Sequence, residues 1–235
     1  MKIVFTPDWF LSFDVLIEIF SFLVLIAFFM FALRSYKLNQ NKKALFLGIG
    51  FFLIAFAEIF TIFTKLVLYY DTIFTKEVGQ MIVTYHFVNS VDIFYYLGFF
   101  FHKLLTLSGL YLIYKIPSKK GTTGDFILAG FFIIISAIFS SSVYFVFHII
   151  AMIILFFIVM NYVNIYKKTK FENTKTLIGA FAILLASQIV FLFSSIKLVY
   201  AIGQILQLVS YIIMLILIYH ITKHGKKKKS HADSL

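Results

Sequence analysis

Seven runs of apolar residues, most of them close to the twenty or so that a helix needs to cross a hydrocarbon layer, succeed one another along this chain, with polar or charged breaks between them. They fall near 9–33, 44–66, 93–114, 126–140, 142–166, 175–195 and 198–221. Such a pattern needs lipid as its solvent. With 62% hydrophobic, 20% aromatic and only 13% charged residues among 235, the chain carries more apolar surface than one water-soluble core can hide. The expected fold is all-α: a polytopic membrane protein with a seven-transmembrane-helix bundle over residues 1–222 and a basic cytoplasmic tail at 223–235. The division between the fourth and fifth runs rests on Ser140 to Ser142 alone. The first run is longer than the core of a signal peptide and no small-residue cleavage site follows it, so it reads as a retained helix.

Charge tests the count. Of the 21 Lys and Arg residues, sixteen fall on one side of the expected bundle: Arg34, Lys37, Lys42 and Lys43; Lys115, Lys119 and Lys120; Lys167, Lys168, Lys170 and Lys175; Lys223 and Lys226 to Lys229. The other side has Lys2, Lys65, Lys76 and Lys197 among Asp8, Asp71, Glu77 and Asp92. Short cytoplasmic loops are enriched in basic residues, so the N-terminus is expected outside and the C-terminus in the cytoplasm, in a multi-pass protein of the cell membrane. The net charge of +11 does not indicate nucleic acid, because the basic residues sit between apolar runs rather than on a soluble face interleaved with stacking aromatics. The expected partners are the lipid bilayer and, for Lys226, Lys227, Lys228 and Lys229, anionic lipid headgroups. The absence of cysteine removes disulfides and thiolate chemistry. Val67 to Asp92 is too apolar for a free linker; it reads either as a short amphipathic lid or as extensions of the flanking helices.

A second pattern lies inside the spans. Counted inward from the outer boundaries at about 1.5 Å per residue, Asp14, Glu18, Glu58, His102, Lys103, His148, Gln188, Gln204 and Gln207 fall roughly 7 to 15 Å below the outer surface. The inner halves hold no Asp, Glu, Lys, Arg or His until the cytoplasmic edge, where Lys115 and His220 begin. Residues three and four apart share a helix face, which aligns Asp14 with Glu18, Glu58 with Thr61 and Lys65, His102 with Thr106 and Gly109, Tyr144 with His148 and Met152, and Gln204 with Gln207 and Tyr211. A charge at mid-bilayer costs about 2.5–3.5 kcal/mol on an insertion scale, so these groups should turn toward one another. The expected ligand-binding set is Glu18, Glu58, His102, Lys103, His148, Gln188, Gln204 and Gln207, around an outer-half cavity above a dry inner plug. Lys103 is expected to be held by Glu58 or Glu18, and Asp14 either joins the group or snorkels outward. Taken singly, each of these residues also fits the polar glue common between membrane helices.

At an offset of 130 residues the segment from Tyr36 overlays the segment from Tyr166. Tyr36, Lys37 and Phe51 match Tyr166, Lys167 and Phe181, and Glu58 falls on Gln188. The third span can be laid on the seventh at an offset of 102, with His102 over Gln204, which outlines a parallel three-plus-one-plus-three repeat. In that architecture the chain resembles seven-helix sugar transporters with a linker helix and opsin-like proteins, and in topology and texture it resembles the seven-helix sensing modules of prokaryotic signalling kinases. The diagnostic residues are missing: the only prolines are Pro7 and Pro117, so there is no Pro-Gln motif, and no Schiff-base lysine occurs between Leu198 and Thr222.

These features favour a sensor or receptor-like protein that binds a small polar or cationic ligand and signals through a separate cytoplasmic partner. A small-solute transporter is the alternative that the size and the repeat bring. A third is a metal or haem protein, with Glu18, Glu58, His102 and His148 as an oxygen and nitrogen set or His102 and His148 flanking a haem, although no paired histidines occur on one helix turn. Neither a metal nor another cofactor is identified. No phosphate loop, dinucleotide fingerprint or nucleophile elbow occurs, which speaks against an enzyme of those classes.

Overall fold

The computed structural model of this chain describes residues 6–69, 90–116, 123–140 and 143–232, and all the regular structure in them is helical. A short 3-10 turn, Asp8–Phe10, leads into α1, Leu11–Asn39. It is followed by α2, Lys42–Tyr69; α3, Ser90–Lys115; α4, Thr123–Phe139; α5, Phe145–Thr169; α6, Glu172–Phe191; and α7, Lys197–Ala232. Each of the seven expected spans overlaps one of these helices, and the fourth and fifth are separate. Most of the Val67 to Asp92 segment and the side chains of the terminal basic run lie outside the described residues.

Six of the helices are long and apolar enough to cross a bilayer, the pattern of a multi-pass membrane protein; α4 is the short one. Their outward faces carry Phe13, Leu16, Leu23 and Met30 on α1 and Phe126, Ile127, Phe131 and Ile138 on α4, exposed apolar side chains that suit lipid. The buried stripe of α1 is Asp14, Glu18, Ser21, Leu25, Phe28 and Ala32, at spacings of three and four. Polar groups thus occupy one half of the stripe and apolar groups the other.

Helices α1, α2, α3, α5, α6 and α7 form a closed ring in that order, with α7 returning to α1, and α4 lies against α3 and α5. The α1–α2–α3 and α5–α6–α7 joints are extensive, whereas the α3–α5 and α7–α1 seams are thin. Close approach of α2 and α3 explains two glycines. A Cβ at Gly109 would sit 2.6 Å from the Gly50 carbonyl oxygen, and one at Gly50 would lie 3.0 Å from the Gly109 carbonyl oxygen.

Toward the lysine-rich helix ends, the ring is filled by a continuous apolar core that includes Phe28, Leu107, Ile113, Ile158, Leu177 and Leu217. Lipid tails are as apolar as these side chains, so such a core is held by close packing rather than by the hydrophobic effect.

The offset of 130 recurs in the backbone. Helix α1 ends in a left-handed cap at Gln40, φ 49°, whose N–H donates to the Tyr36 carbonyl at 2.7 Å, and α5 ends identically at Lys170, φ 55°, whose N–H donates to the Tyr166 carbonyl at 2.8 Å. The following helices start at Lys42 and Glu172. Buried Leu25, Phe28 and Phe51 have the buried counterparts Leu155, Ile158 and Phe181. For α3 and α7, burial matches best at 104 rather than 102, with Leu107, Leu110 and Ile113 over Tyr211, Met214 and Leu217.

Candidate functional site

Lys65 is the charge that the carboxylates of α1 hold. It sits on the same face of α2 as Glu58 and Thr61, and α2 is a ring neighbour of α1. Its ammonium meets Asp14 Oδ1 at 2.8 Å and Glu18 Oε1, and donates its remaining hydrogen bond to the Tyr200 hydroxyl at 3.0 Å. All three N–H groups are therefore used. Asp14 is fully buried and accepts further hydrogen bonds from Thr6 at 3.0 Å, Tyr69 at 2.8 Å and Tyr200 at 3.0 Å. Gln204 Nε2 donates to the Tyr200 hydroxyl at 2.9 Å, extending the network by one turn of α7.

Of the two readings of Asp14 the structure has the inward one, because a lysine and three hydroxyls converge on it. One expectation is corrected. Lys103 is not held by Glu58 or Glu18: its ammonium donates to the Ser140 carbonyl at 2.7 Å. That carbonyl lies just past the last residue of α4, where helix carbonyls lack intrahelical partners and carry partial negative charge. A cation there has a partner that no side chain supplies. At the opposite end of α4, Lys115 lies 3.7 Å from Asp125, so α3 grips α4 at both ends.

Beneath the Lys65 cluster lies a cavity of about 240 Å³. Glu18, Glu58, His102, Lys103, His148, Gln188, Gln204 and Gln207 all line it. They come from six ring helices, and the sequence pattern brings every one of them to the same space. Leu25, Phe51, Leu110, Leu155 and Met214, which belong to the apolar core, also line it.

The polar wall is incompletely satisfied. His148 Nδ1 pairs with Gln188 Oε1 at 2.9 Å, and Gln207 Nε2 is 3.5 Å from the Tyr211 hydroxyl. Glu58 is only 4% exposed, yet it makes no hydrogen bond or ion pair with any described residue. It lies seven residues before Lys65 on the same helix face and is within electrostatic reach of that ammonium without forming an ion pair with it. Glu18 Oε2, Thr106 Oγ1 and Gln204 Oε1 are also buried without a hydrogen-bond partner. Polar atoms are seldom left this way inside proteins unless something else meets them.

Aromatic rings complete the wall. Phe147 touches both imidazoles, with ring centroids 5.8 Å from His102 and 5.1 Å from His148, and Phe191 stacks on His148 at 5.2 Å. Phe51 and Phe181 stack on each other with centroids 6.3 Å apart and planes 5° from parallel. Among the described residues, no three His, Asp or Glu side chains come together as a metal cage.

Sequence reasoning found eight of the lining residues but missed the hub of Asp14, Lys65, Tyr69 and Tyr200, of which the last three also line the cavity. The signal for Lys65 was its three-and-four register with Glu58 and Thr61. No protein-family model matches this chain, and no curated protein or solved structure matches it.

Proposed function

We propose that this chain is an integral membrane protein of receptor or sensor type that binds a small polar or cationic molecule in the cavity beneath Lys65. One observation carries the reading: buried Glu58 faces this cavity with no hydrogen bond or ion pair among the described residues, whereas Asp14 and Glu18 each hold the Lys65 ammonium. A purely structural polar network would be expected to close on itself, as the Asp14 and Lys65 cluster does. The closed apolar floor supports a site that holds its guest rather than a channel. Signalling in this reading passes through small shifts of α5 to α7 to a separate cytoplasmic protein. The N-terminus lies outside, and Lys226 to Lys229 touch anionic headgroups.

The test is a thermal-stability screen of purified protein in nanodiscs against small amines, amino acids, sugars and carboxylates. Saturable stabilisation by one class, weakened by His102→Ala or Gln204→Ala, is expected. No response to any class refutes the reading. The cysteine-free chain also allows a direct orientation test: Ser230→Cys in intact cells should resist a membrane-impermeant maleimide until the cells are opened.

A second reading, a small-solute carrier, has its own observation. Left-handed caps, helix starts and buried positions repeat at an offset of 130, and the ring order is unchanged when α1, α2, α3 are exchanged with α5, α6, α7. Phe51 and Phe181, one from each half, stack face to face beside the cavity. Parallel repeats with a site between them characterise carriers that rock one half against the other. Uptake of the bound class into proteoliposomes supports the carrier, whereas binding without uptake supports the receptor.

A further inference from the structure

Resting on the binding reading above, we infer that the cavity takes a small organic monocation, an ammonium group carried on an apolar body, with Glu58 as its counter-ion. Charge is the first argument. Asp14, Glu18 and Glu58 share this space with Lys65, Lys103, His102 and His148, so with the carboxylates and lysines ionised and both imidazoles neutral one negative charge is unmatched. Lys65 is committed to Asp14 and Glu18, and Lys103 to the Ser140 carbonyl, which places the unmatched charge at Glu58. A single positive charge on the guest balances the site, and a dication or an anion does not.

The lining decides what kind of monocation fits. A hard inorganic cation asks for a cage of several oxygens. The cavity that Glu58 faces instead has aromatic and aliphatic stretches of wall: Phe51, Phe147 and Phe181 line it, with Tyr211 within electrostatic reach of the carboxylate. Ring faces attract ammonium groups, most strongly where water is excluded. Apolar walls also bury the rest of the molecule. The free oxygens of Gln204 and Thr106 add hydrogen-bond acceptors for the N–H groups of a primary amine. At about 240 Å³ the space suits a compact guest.

The experiment is equilibrium dialysis of the full chain in nanodiscs, with empty nanodiscs subtracted because amines partition into lipid. The probes are 2-phenylethylamine, its neutral counterpart 2-phenylethanol, the anion 3-phenylpropanoate, and sodium as a competitor. Saturable binding of the amine alone is expected, insensitive to sodium and weakened roughly thirty-fold or more by Glu58→Gln. Should Glu58→Gln not fold, Phe51→Leu and Phe181→Leu provide the second arm: they must weaken the amine more than any residual binding of the alcohol. Equal binding of the alcohol or the anion, displacement by sodium, or full affinity in Glu58→Gln overturns the inference while leaving a ligand-binding cavity. If none of these probes binds but the broader screen finds a sugar or a carboxylate, the inference fails and the binding reading stands; silence in both removes both.

Discussion

The Lys65 cluster and the cavity beneath it are built from the same residue types at neighbouring depths, yet they are opposites in how their polar atoms are satisfied. In the cluster, one ammonium uses all its hydrogens and Asp14 collects a lysine and three hydroxyls. Facing the cavity, Glu58 has no hydrogen bond or ion pair among the described residues, and Thr106 Oγ1, Gln204 Oε1 and the second carboxylate oxygen of Glu18, whose first holds Lys65, have no hydrogen-bond partner. The difference shows that burial of charge alone does not mark a site. A closed network fixes helices to one another, and an open one leaves polar atoms with bonding capacity unused.

The sharpest way to break that comparison is Lys65→Met. It leaves Asp14 and Glu18 buried without their cation, and removing one partner of a buried pair typically costs about 3–5 kcal/mol. Unfolding in mixed micelles should show that loss, and adding Asp14→Asn with Glu18→Gln should recover much of it. If the single substitution is harmless, the cluster is not the clamp argued here. Gly109→Ala should cost about 1–3 kcal/mol by the same measurement, because its methyl meets the rigid Gly50 carbonyl oxygen. Tyr200→Phe removes one hydroxyl from a saturated network and should cost about 1–2 kcal/mol. Glu58→Gln in the empty protein should fall within about 0.5 kcal/mol of the parent or stabilise it, since no partner is orphaned by the change. A large loss there would mean that Glu58 belongs to the structural network, erasing the distinction.

The helices and the eight lining residues were legible because lipid enforces both. Apolar runs of spanning length have few alternatives, and Glu18, Glu58 or His102 facing hydrocarbon would be costly enough to turn inward. Pairing was not legible, and the reason is ring order. Helices α2 and α7 flank α1, so Lys65 and Tyr200 reach Asp14, whereas α3, although packed on α2, turns Lys103 to the end of α4. Depth counting places Lys65 near an outer edge and Lys103 deep, which made Lys103 the apparent partner of the carboxylates. Its actual acceptor, the Ser140 carbonyl, is a backbone atom that exists as a site only because α4 stops there.

That early stop reaches beyond the protein. With 17 residues, α4 spans about 25 Å, several ångströms less than an average hydrocarbon layer. Its exposed face carries Phe131, Phe132, Ile134 and Ile138, apolar side chains that suit lipid over that shorter height. The two contacts that α3 makes there, Lys103 to the Ser140 carbonyl and Lys115 to Asp125, therefore hold the shortest helix of the bundle at both of its ends.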